Sequence, residues 1–112
     1  MIPRAAEPPG QPPIQTLVRR IVSQVRPLRI ILFGSFARGD STTSSRLDLC
    51  IIVSTAEAPS ELSRRFRALT RMDDMVVKPH VYTAVEFAAL VEGRNPLALR
   101  ILSEGKILYE QP

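Results

Sequence analysis

A Gly-Ser pair, Gly34 and Ser35, directly follows the apolar run 28–33 and combines two groups that suit phosphate binding. The missing side chain of Gly34 lets a phosphate approach the backbone, and the hydroxyl of Ser35 is a hydrogen-bond donor. The amides of the following turn are expected to point toward the same anion. The pair is a weak signal by itself, because most Gly-Ser pairs after a strand are simply turns.

Ten residues separate Ser35 from Arg46, and Asp48 follows two positions later at the start of a second apolar run. Side chains two positions apart point to the same face of a strand, so Arg46 and Asp48 are expected to share one face. A guanidinium binds phosphate through two hydrogen bonds, whereas an ionised carboxylate only accepts them. The spacing therefore predicts a cation and an acid together at the start of one strand.

Apolar periodicity and chain breakers predict the helices and strands that must position these residues. Apolar residues recur every three or four positions from Ile14 and predict a helix that stops before Pro27. Segment 35–40 is predicted to be a tight turn or a single helical turn, and Pro79 should confine its strand to an edge or a bulge. Further helices are predicted at 59–72, 84–93 and 95–105, and strands at 28–33, 47–54, 75–83 and 106–110. This order predicts an α/β (α+β) fold, a small mixed β-sheet flanked by helices.

Length and composition bound the domain organisation. A chain of 112 residues has room for one small hydrophobic core. Five prolines fall within the first 13 residues, which predicts a disordered Pro-rich tail at 1–13 and a folded domain at 14–110. The net charge of +4 favours anionic partners such as nucleotides, although a solvated basic surface explains it equally well.

The same sequence features predict the cellular compartment. No apolar segment resembles a secretory leader or a membrane span, so we expect a cytoplasmic protein that does not engage a membrane. The single cysteine, Cys50, cannot form an intramolecular disulfide and lies in an apolar run. It is therefore predicted to be a buried, inert thiol in a reducing compartment.

The order of these motifs resembles a known family. A Gly-Ser pair, ten residues and then Asp-x-Asp at the start of a strand is the signature of nucleotidyltransferases related to DNA polymerase β. The string LFGSFARGD and the closing string EGKILYE resemble the minimal nucleotidyltransferase subfamily, MNT, over about residues 14–110. The resemblance implies the nucleotidyltransferase fold, an NTP such as ATP as the ligand, and Mg²⁺ as the cofactor if the protein is active.

The resemblance also implies roles for individual residues. Gly34 and Ser35 would contact the nucleotide phosphates, and Asp48 would be a metal ligand and the one retained catalytic acid. Arg46 stands at the position of the first expected aspartate, and Lys78 stands at that of the third carboxylate. A monocation about 4 Å from a dication is repelled by roughly 8 kcal/mol at an effective dielectric constant near 20, before solvent and side-chain movement relieve it. Efficient metal-dependent transfer is therefore not expected from this chain alone.

Two interpretations of the substituted cations stay open. In the first, Arg46 points into solvent or pairs with Asp48, which contributes about 0–1 kcal/mol at an exposed position. In the second, Arg46 and Lys78 supply the positive charge that metal supplies in active relatives. The site would then bind a nucleotide or another phosphate without transferring it.

Four neighbouring polar residues receive structural interpretations. His80 shares strand parity with Lys78, but a lone histidine is more often structural than catalytic. Asp40 is interpreted as a capping or exposed residue, with metal binding as the alternative. Asp73 and Asp74 fit the end of a helix better than the face of a strand.

Aromatic and basic residues outside the motif suggest packing and surface roles. Tyr82 and Tyr109 are interpreted as packing residues. The arginines of the predicted helix 59–72 form either a solvated face or a partner-binding face (Arg64, Arg65, Arg67, Arg71). Nucleic acid is not an expected partner, because this face lacks the aromatic stacking platform of a single-strand binder.

The resemblance finally implies a function for the whole chain. Members of the MNT subfamily are commonly encoded beside a helical HEPN protein, and the MNT protein neutralises this toxin. We therefore expect an antitoxin-type or regulatory subunit that pairs with a HEPN-like partner and has lost some or all transferase activity. The alternative is an active Mg²⁺-dependent enzyme that transfers NMP from an NTP to a hydroxyl of a protein or small molecule. Whether the chain also forms a homodimer stays open.

Overall fold

The structure, a computed structural model, describes residues 14–41, 46–54, 59–70 and 76–112, without the side chains at 59, 60, 62 and 63. The predictions for the tail 1–13 and for Arg71, Asp73 and Asp74 lie outside the described residues and stay predictions. The described helices are α1 Ile14–Val25, α2 Ser35–Arg38, α3 Pro59–Leu69, α4 Ala84–Glu92 and α5 Pro96–Glu104. The described strands are β1 Arg29–Phe33, β2 Leu47–Val53, β3 Val77–Thr83 and β4 Lys106–Glu110.

The strands form a four-stranded mixed sheet in the order β3-β2-β1-β4. Strand β1 runs antiparallel to both β2 and β4, whereas β2 and β3 are parallel. The predicted α/β fold, a small mixed sheet flanked by helices, is confirmed. Pro79 lies in the edge strand β3, where its missing N–H costs no hydrogen bond between two inner strands.

The sheet buries apolar side chains on both faces, and the alternation along β1 shows how. Ile30 and Leu32 join the cluster that contains Leu17 and Ile21 of α1 and Phe66 of α3. Ile31 and Phe33, which alternate with them along the strand, join the cluster on the opposite face, beneath α4 and α5. Successive side chains of a strand point to opposite faces, so each face receives its own helix layer.

Cys50 lies in β2 within the second of these clusters and is fully buried. Burial raises the pKa of its thiol to about 12, because the thiolate would lose its hydration. The predicted burial of the thiol is confirmed, and its inertness stays a prediction.

Local sequence signals fix the N-termini of the last two helices. The hydroxyl of Thr83 accepts a hydrogen bond from the Glu86 amide at 3.1 Å, and the Thr83 amide donates to the Glu86 carboxylate at 2.7 Å. Asn95 accepts from the Ala98 amide at 3.1 Å and caps α5, as predicted, with a proline at the first helical position. These caps fix the residues at which α4 and α5 begin, and both helices pack on the same face of the sheet.

Helix α3 ends earlier than the periodicity predicted, at Leu69 rather than at residue 72. The buried Thr70 donates its hydroxyl to the carbonyl of Phe66 at 2.6 Å. In addition, the guanidinium of Arg20 in α1 donates to the Leu69 carbonyl at 3.2 Å. These side chains satisfy carbonyl groups in the last turn, so the helix can end there.

Candidate functional site

Strand β1 delivers the chain to Gly34, which lies directly beside Asp48. Phe33, the last residue of β1, is the register partner of Asp48 in β2. Gly34 is buried and has a φ of 81° and a ψ of −157°, a conformation that only glycine adopts readily. A Cβ atom at this position would lie 2.7 Å from Oδ2 of Asp48. The missing side chain therefore makes room for the Asp48 carboxylate at the start of the turn.

The predicted turn after Gly34 is the single helical turn α2. The Arg38 amide donates to the Gly34 carbonyl at 3.0 Å, and the Gly39 amide donates to the Ser35 carbonyl at the same distance. Gly39 then closes the turn in the left-handed conformation, with a φ of 83°. By helix geometry, the first N–H groups of such a turn have no carbonyl partner within it.

Asp48 lies on β2 with 26% of its side chain exposed, and the imidazole of His80 in β3 lies beside it. The Nε2 atom of His80 lies 3.5 Å from Oδ1 of Asp48, which is longer than a good hydrogen bond. His80 Nε2 is buried and has no hydrogen-bond partner among the residues that the structure describes. Its ring packs edge-on against Phe33, with the ring centroids 5.1 Å apart. The side chains of His80 and Asp48 are therefore in contact, but they form at most a weak hydrogen bond.

Three influences set the charge of His80. Burial is the largest and lowers the pKa of the imidazole below its ordinary value of 6.5. The contact with Asp48 acts in the opposite direction, and the positive charge of Lys78 lowers the pKa further. Because the net direction is downward, the neutral form of the ring predominates at pH 7 in the folded protein.

Lys78 and Arg46, the two cations of the predicted site, are both exposed. Lys78 is the backbone register partner of Asp48 across the parallel β2–β3 pair, and its side chain is exposed. Arg46 immediately precedes β2 and is also exposed. Within the described ranges, no ion pair joins Arg46 to Asp48. The exposed position of Arg46 agrees with the interpretation in which its side chain points into solvent.

His80, rather than Lys78, is the residue of β3 whose side chain reaches Asp48. The sequence interpretation treated it as structural. The sequence signal that could have identified His80 is its spacing from Lys78, because residues two positions apart lie on the same side of a strand.

A magnesium site of the family type does not fit the described residues. Mg²⁺ prefers six oxygen ligands in octahedral geometry, supplied by carboxylates, phosphates and water. Asp48 and His80 offer one carboxylate and one imidazole nitrogen, with the cations Arg46 and Lys78 nearby in the chain. Across the described part of the chain, no group of three or more His, Cys, Asp or Glu residues is placed to hold a metal ion.

A second carboxylate reaches the Gly34 turn from the far end of the chain. The Gly34 amide donates to Oε1 of Glu104, the last residue of α5, at 3.3 Å. The Nη1 atom of Arg38 donates to the same oxygen at 3.0 Å, and its Nε atom donates to Asp40 at 3.1 Å. Asp40 is exposed and bound to Arg38, in agreement with its interpretation as a surface residue. Glu104 begins the closing string EGKILYE, but no role at this turn was predicted for it, because 70 residues separate it from Gly34.

The remaining residues noted in the sequence have packing or surface roles. Tyr82 packs against Phe87, with the ring centroids 5.9 Å apart, and Tyr109 packs against the cluster beneath α1 and α3. Three of the four arginines near α3 are described, and all are exposed (Arg64, Arg65, Arg67). Within the described ranges, no helix has the length and apolar character needed to cross a bilayer.

Three solved structures illustrate the similarity of this fold to known proteins. A protein from Sulfolobus solfataricus, assigned as a nucleotidyltransferase, superimposes with a TM-score of 0.60 at 17% identity, over 88% of this chain and 78% of that one. A toxin–antitoxin structure with AMP-PNP gives a TM-score of 0.63 at 16% identity, over 89% and 75% of the two chains. A mutant of the toxin–antitoxin pair MntA–HpeT gives 0.58 at 16% identity, over 87% and 73%. At these identities the similarity shows a shared fold.

Comparison by sequence identifies the family. No curated protein gives a significant match. The family model described as "Polymerase beta, Nucleotidyltransferase" matches residues 15–112, which include the whole Gly34–Asp48 site. The resemblance read from the motif spacing is thereby confirmed, and the chain belongs to the polymerase β nucleotidyltransferase family.

Proposed function

We propose that this chain is an antitoxin-type or regulatory subunit with a nucleotidyltransferase fold. It pairs with a HEPN-like protein and has lost some or all of its transferase activity. The observation that carries the proposal is the composition of the site around Asp48. There Arg46 and Lys78 stand at the positions where the resemblance implies two carboxylates of an active member, and a predominantly neutral His80 lies beside Asp48.

The loss of activity follows from the chemistry of nucleotidyl transfer. Divalent metal ions neutralise the charge that develops on the transferring phosphorus and on the leaving pyrophosphate. Carboxylates must hold these ions, and Asp48 is the one retained candidate metal ligand and catalytic acid. A single carboxylate with neighbouring cations would hold a divalent cation weakly.

Phosphate binding is compatible with the same set of residues. Arg46 and Lys78 supply positive charge without a coordination sphere, and a guanidinium can bind a phosphate through two hydrogen bonds. Gly34 and Ser35 present the turn at which the phosphates of an NTP would lie. We therefore propose that the site binds ATP or another NTP without Mg²⁺.

The proposal of a protein partner draws on the similar structures. Two of them are toxin–antitoxin structures, and one of these contains AMP-PNP, a nucleotide analogue. A partner that is itself a HEPN-like protein is part of the proposal. So is a cytoplasmic location, which suits the free Cys50.

A calorimetric titration with ATP, in Mg²⁺ and again in EDTA, tests the site. We expect ATP to bind in EDTA, and Arg46→Ala and Lys78→Ala each to weaken that binding. Arg19→Ala, which removes an exposed arginine of α1, is the matched control for a general loss of positive charge. Binding that requires Mg²⁺ would contradict the degenerate site, and no binding in either buffer would exclude a nucleotide-binding role.

The alternative is an active Mg²⁺-dependent transferase, and the family match together with the retained Asp48 favours it. Incubation with labelled ATP, Mg²⁺ and a co-purified partner distinguishes the two functions. Label transferred to a protein or small-molecule hydroxyl, and lost in Asp48→Ala, would establish the active enzyme. Absence of transfer with intact partner binding supports the regulatory subunit.

A further inference from the structure

We propose that Glu104 is a positioning residue for the phosphate-binding turn, and that it holds the Gly34 amide and the Arg38 guanidinium in place. The inference rests on the proposed function, since it assumes that a nucleotide phosphate binds at this turn. It goes beyond that function, because Glu104 belongs to no part of the Gly-Ser and Asp motif.

The first contact fixes the backbone at the start of the turn. Oε1 of Glu104 accepts from the Gly34 amide at 3.3 Å, and its side chain is 23% exposed. Gly34 has no Cβ to restrict it and adopts a conformation that is rare for other residues. Asp48 lies on the side where a Cβ would be, so one carboxylate lies beside the Cα of Gly34 and another binds its amide. Because glycine is otherwise free to rotate, the bond to Glu104 selects one orientation of this amide.

The second contact fixes the charged side chain of the turn. Arg38 donates Nη1 to Glu104 at 3.0 Å and Nε to Asp40 at 3.1 Å, so two acids hold opposite parts of one guanidinium. The neighbouring carboxylates, Asp40 foremost, raise the pKa of Arg38 further. A guanidinium has five N–H donors, and the contacts recorded among the described residues use two of them. We expect an incoming phosphate to bind the remaining donors.

Glu104 can hold the turn because its own backbone is fixed against β1. The Gly105 amide donates to the Ile101 carbonyl at 2.9 Å and closes α5. A Cβ on Gly105 would collide with the Ile101 carbonyl and would lie 2.5 Å from Cγ2 of Ile31. Ile101 and Ile31 are both buried in the cluster beneath α5. The end of α5 is therefore packed closely on β1, and the carboxylate extends from a rigid support.

Nucleotide affinity measured with two variants of Glu104 tests this role. Glu104→Ala removes the acceptor for both donors, and we expect the affinity for ATP to fall by roughly tenfold or more. Glu104→Gln keeps an oxygen at the same place, and we expect it to retain most of the affinity. Glu110→Ala is the matched control, because it breaks an exposed ion pair with Arg29 of similar length, 2.8 Å, at the other end of β1.

Two further measurements distinguish the positioning role from a merely structural one, one with a different ligand and one on the Gly34 backbone. Glu104→Ala should leave the affinity for adenosine unchanged, since adenosine has no phosphate. In NMR, the Gly34 amide should exchange faster with solvent in Glu104→Ala than in Glu104→Gln, whether or not nucleotide is present. Equal exchange in the two variants would overturn the positioning role.

The remaining outcomes distinguish this inference from the proposed function. If the wild type binds ATP and Glu104→Ala binds it equally well, the positioning role is wrong and the proposed function stands. If both variants bind ATP more tightly, Glu104 repels the phosphate, and the inference is again overturned. If the wild type binds no nucleotide, the proposed function and the phosphate part of this inference fail together. The exchange measurement then still decides whether Glu104 holds the turn.

Discussion

The Nε2 atom of His80 lies 3.5 Å from Oδ1 of Asp48, and this imidazole is the side chain of β3 that lies beside the carboxylate. The pair joins two parallel strands, β2 and β3, at the edge of the sheet. Neither partner is fully buried, and neither is fully solvated. The consequences can be measured because His80 is the single histidine of the chain.

His80 should make the stability of the protein depend on pH. Its pKa is lower in the folded protein than the ordinary 6.5, so the unfolded chain binds more protons between these two values. The contribution of His80 to the free energy of unfolding should therefore be fully present above pH 6.5. It should be lost as the pH drops through the folded pKa. Urea unfolding at a series of pH values, with His80→Asn as the control, measures this component. An imidazole NMR titration midpoint above 6.5 would show that Asp48 dominates over burial.

Gly34→Ala should destabilise the fold through both its backbone and its neighbour. The unusual φ and ψ cost about 1–3 kcal/mol for a residue with a Cβ, and that Cβ would also press on Oδ2 of Asp48. Gly39→Ala is the matched control, because Gly39 also has a positive φ but has no atom within 4 Å of a Cβ. We expect thermal unfolding to show the larger loss for Gly34→Ala. Adding Asp48→Ala should recover part of it, and no recovery would mean that backbone strain alone is responsible.

Arg46→Asp should convert ATP binding from metal-independent to Mg²⁺-dependent. The substitution places a second carboxylate two positions before Asp48 and removes the cation that repels a divalent ion. Calorimetric titration with ATP, in Mg²⁺ and in EDTA, measures the change. Arg19→Asp makes the same change of charge on α1 and should have no such effect. An unchanged response to Mg²⁺ would show that the site near His80 needs a further carboxylate.

Cys50 should be inert in the folded protein and reactive after unfolding. The side chain is fully buried, and burial raises the pKa of its thiol to about 12. Labelling with a thiol-reactive disulfide reagent at pH 8 should therefore be slow in buffer and fast in urea. Because the unfolded thiol ionises near 9.0, stability should also decline as the pH rises above that value, and Cys50→Ala should lack this decline. Rapid labelling of the native protein would indicate that β2 opens locally.

Most of the secondary structure follows from local residue patterns. Three- and four-residue apolar spacing predicts α1, and Asn95 followed by Pro96 predicts the start of α5. Pro79 predicts an edge strand, because an imino nitrogen cannot donate to a second neighbour. The end of α3 differs, since it depends on Arg20, which belongs to another helix and reaches the Leu69 carbonyl.

The sequence by itself also determines the family and the position of the Gly34–Asp48 site, because the motif is a matter of residue types and spacing along the chain. It does not determine which side chain of β3 reaches Asp48, since that depends on the register of two strands that are separated in sequence. Nor does it reveal that Glu104 contacts Gly34, 70 residues away. Only the tertiary structure decides these contacts, because the packing of α5 on β1 and the pairing of β2 with β3 bring remote segments together. Local propensity carries no information about such distances.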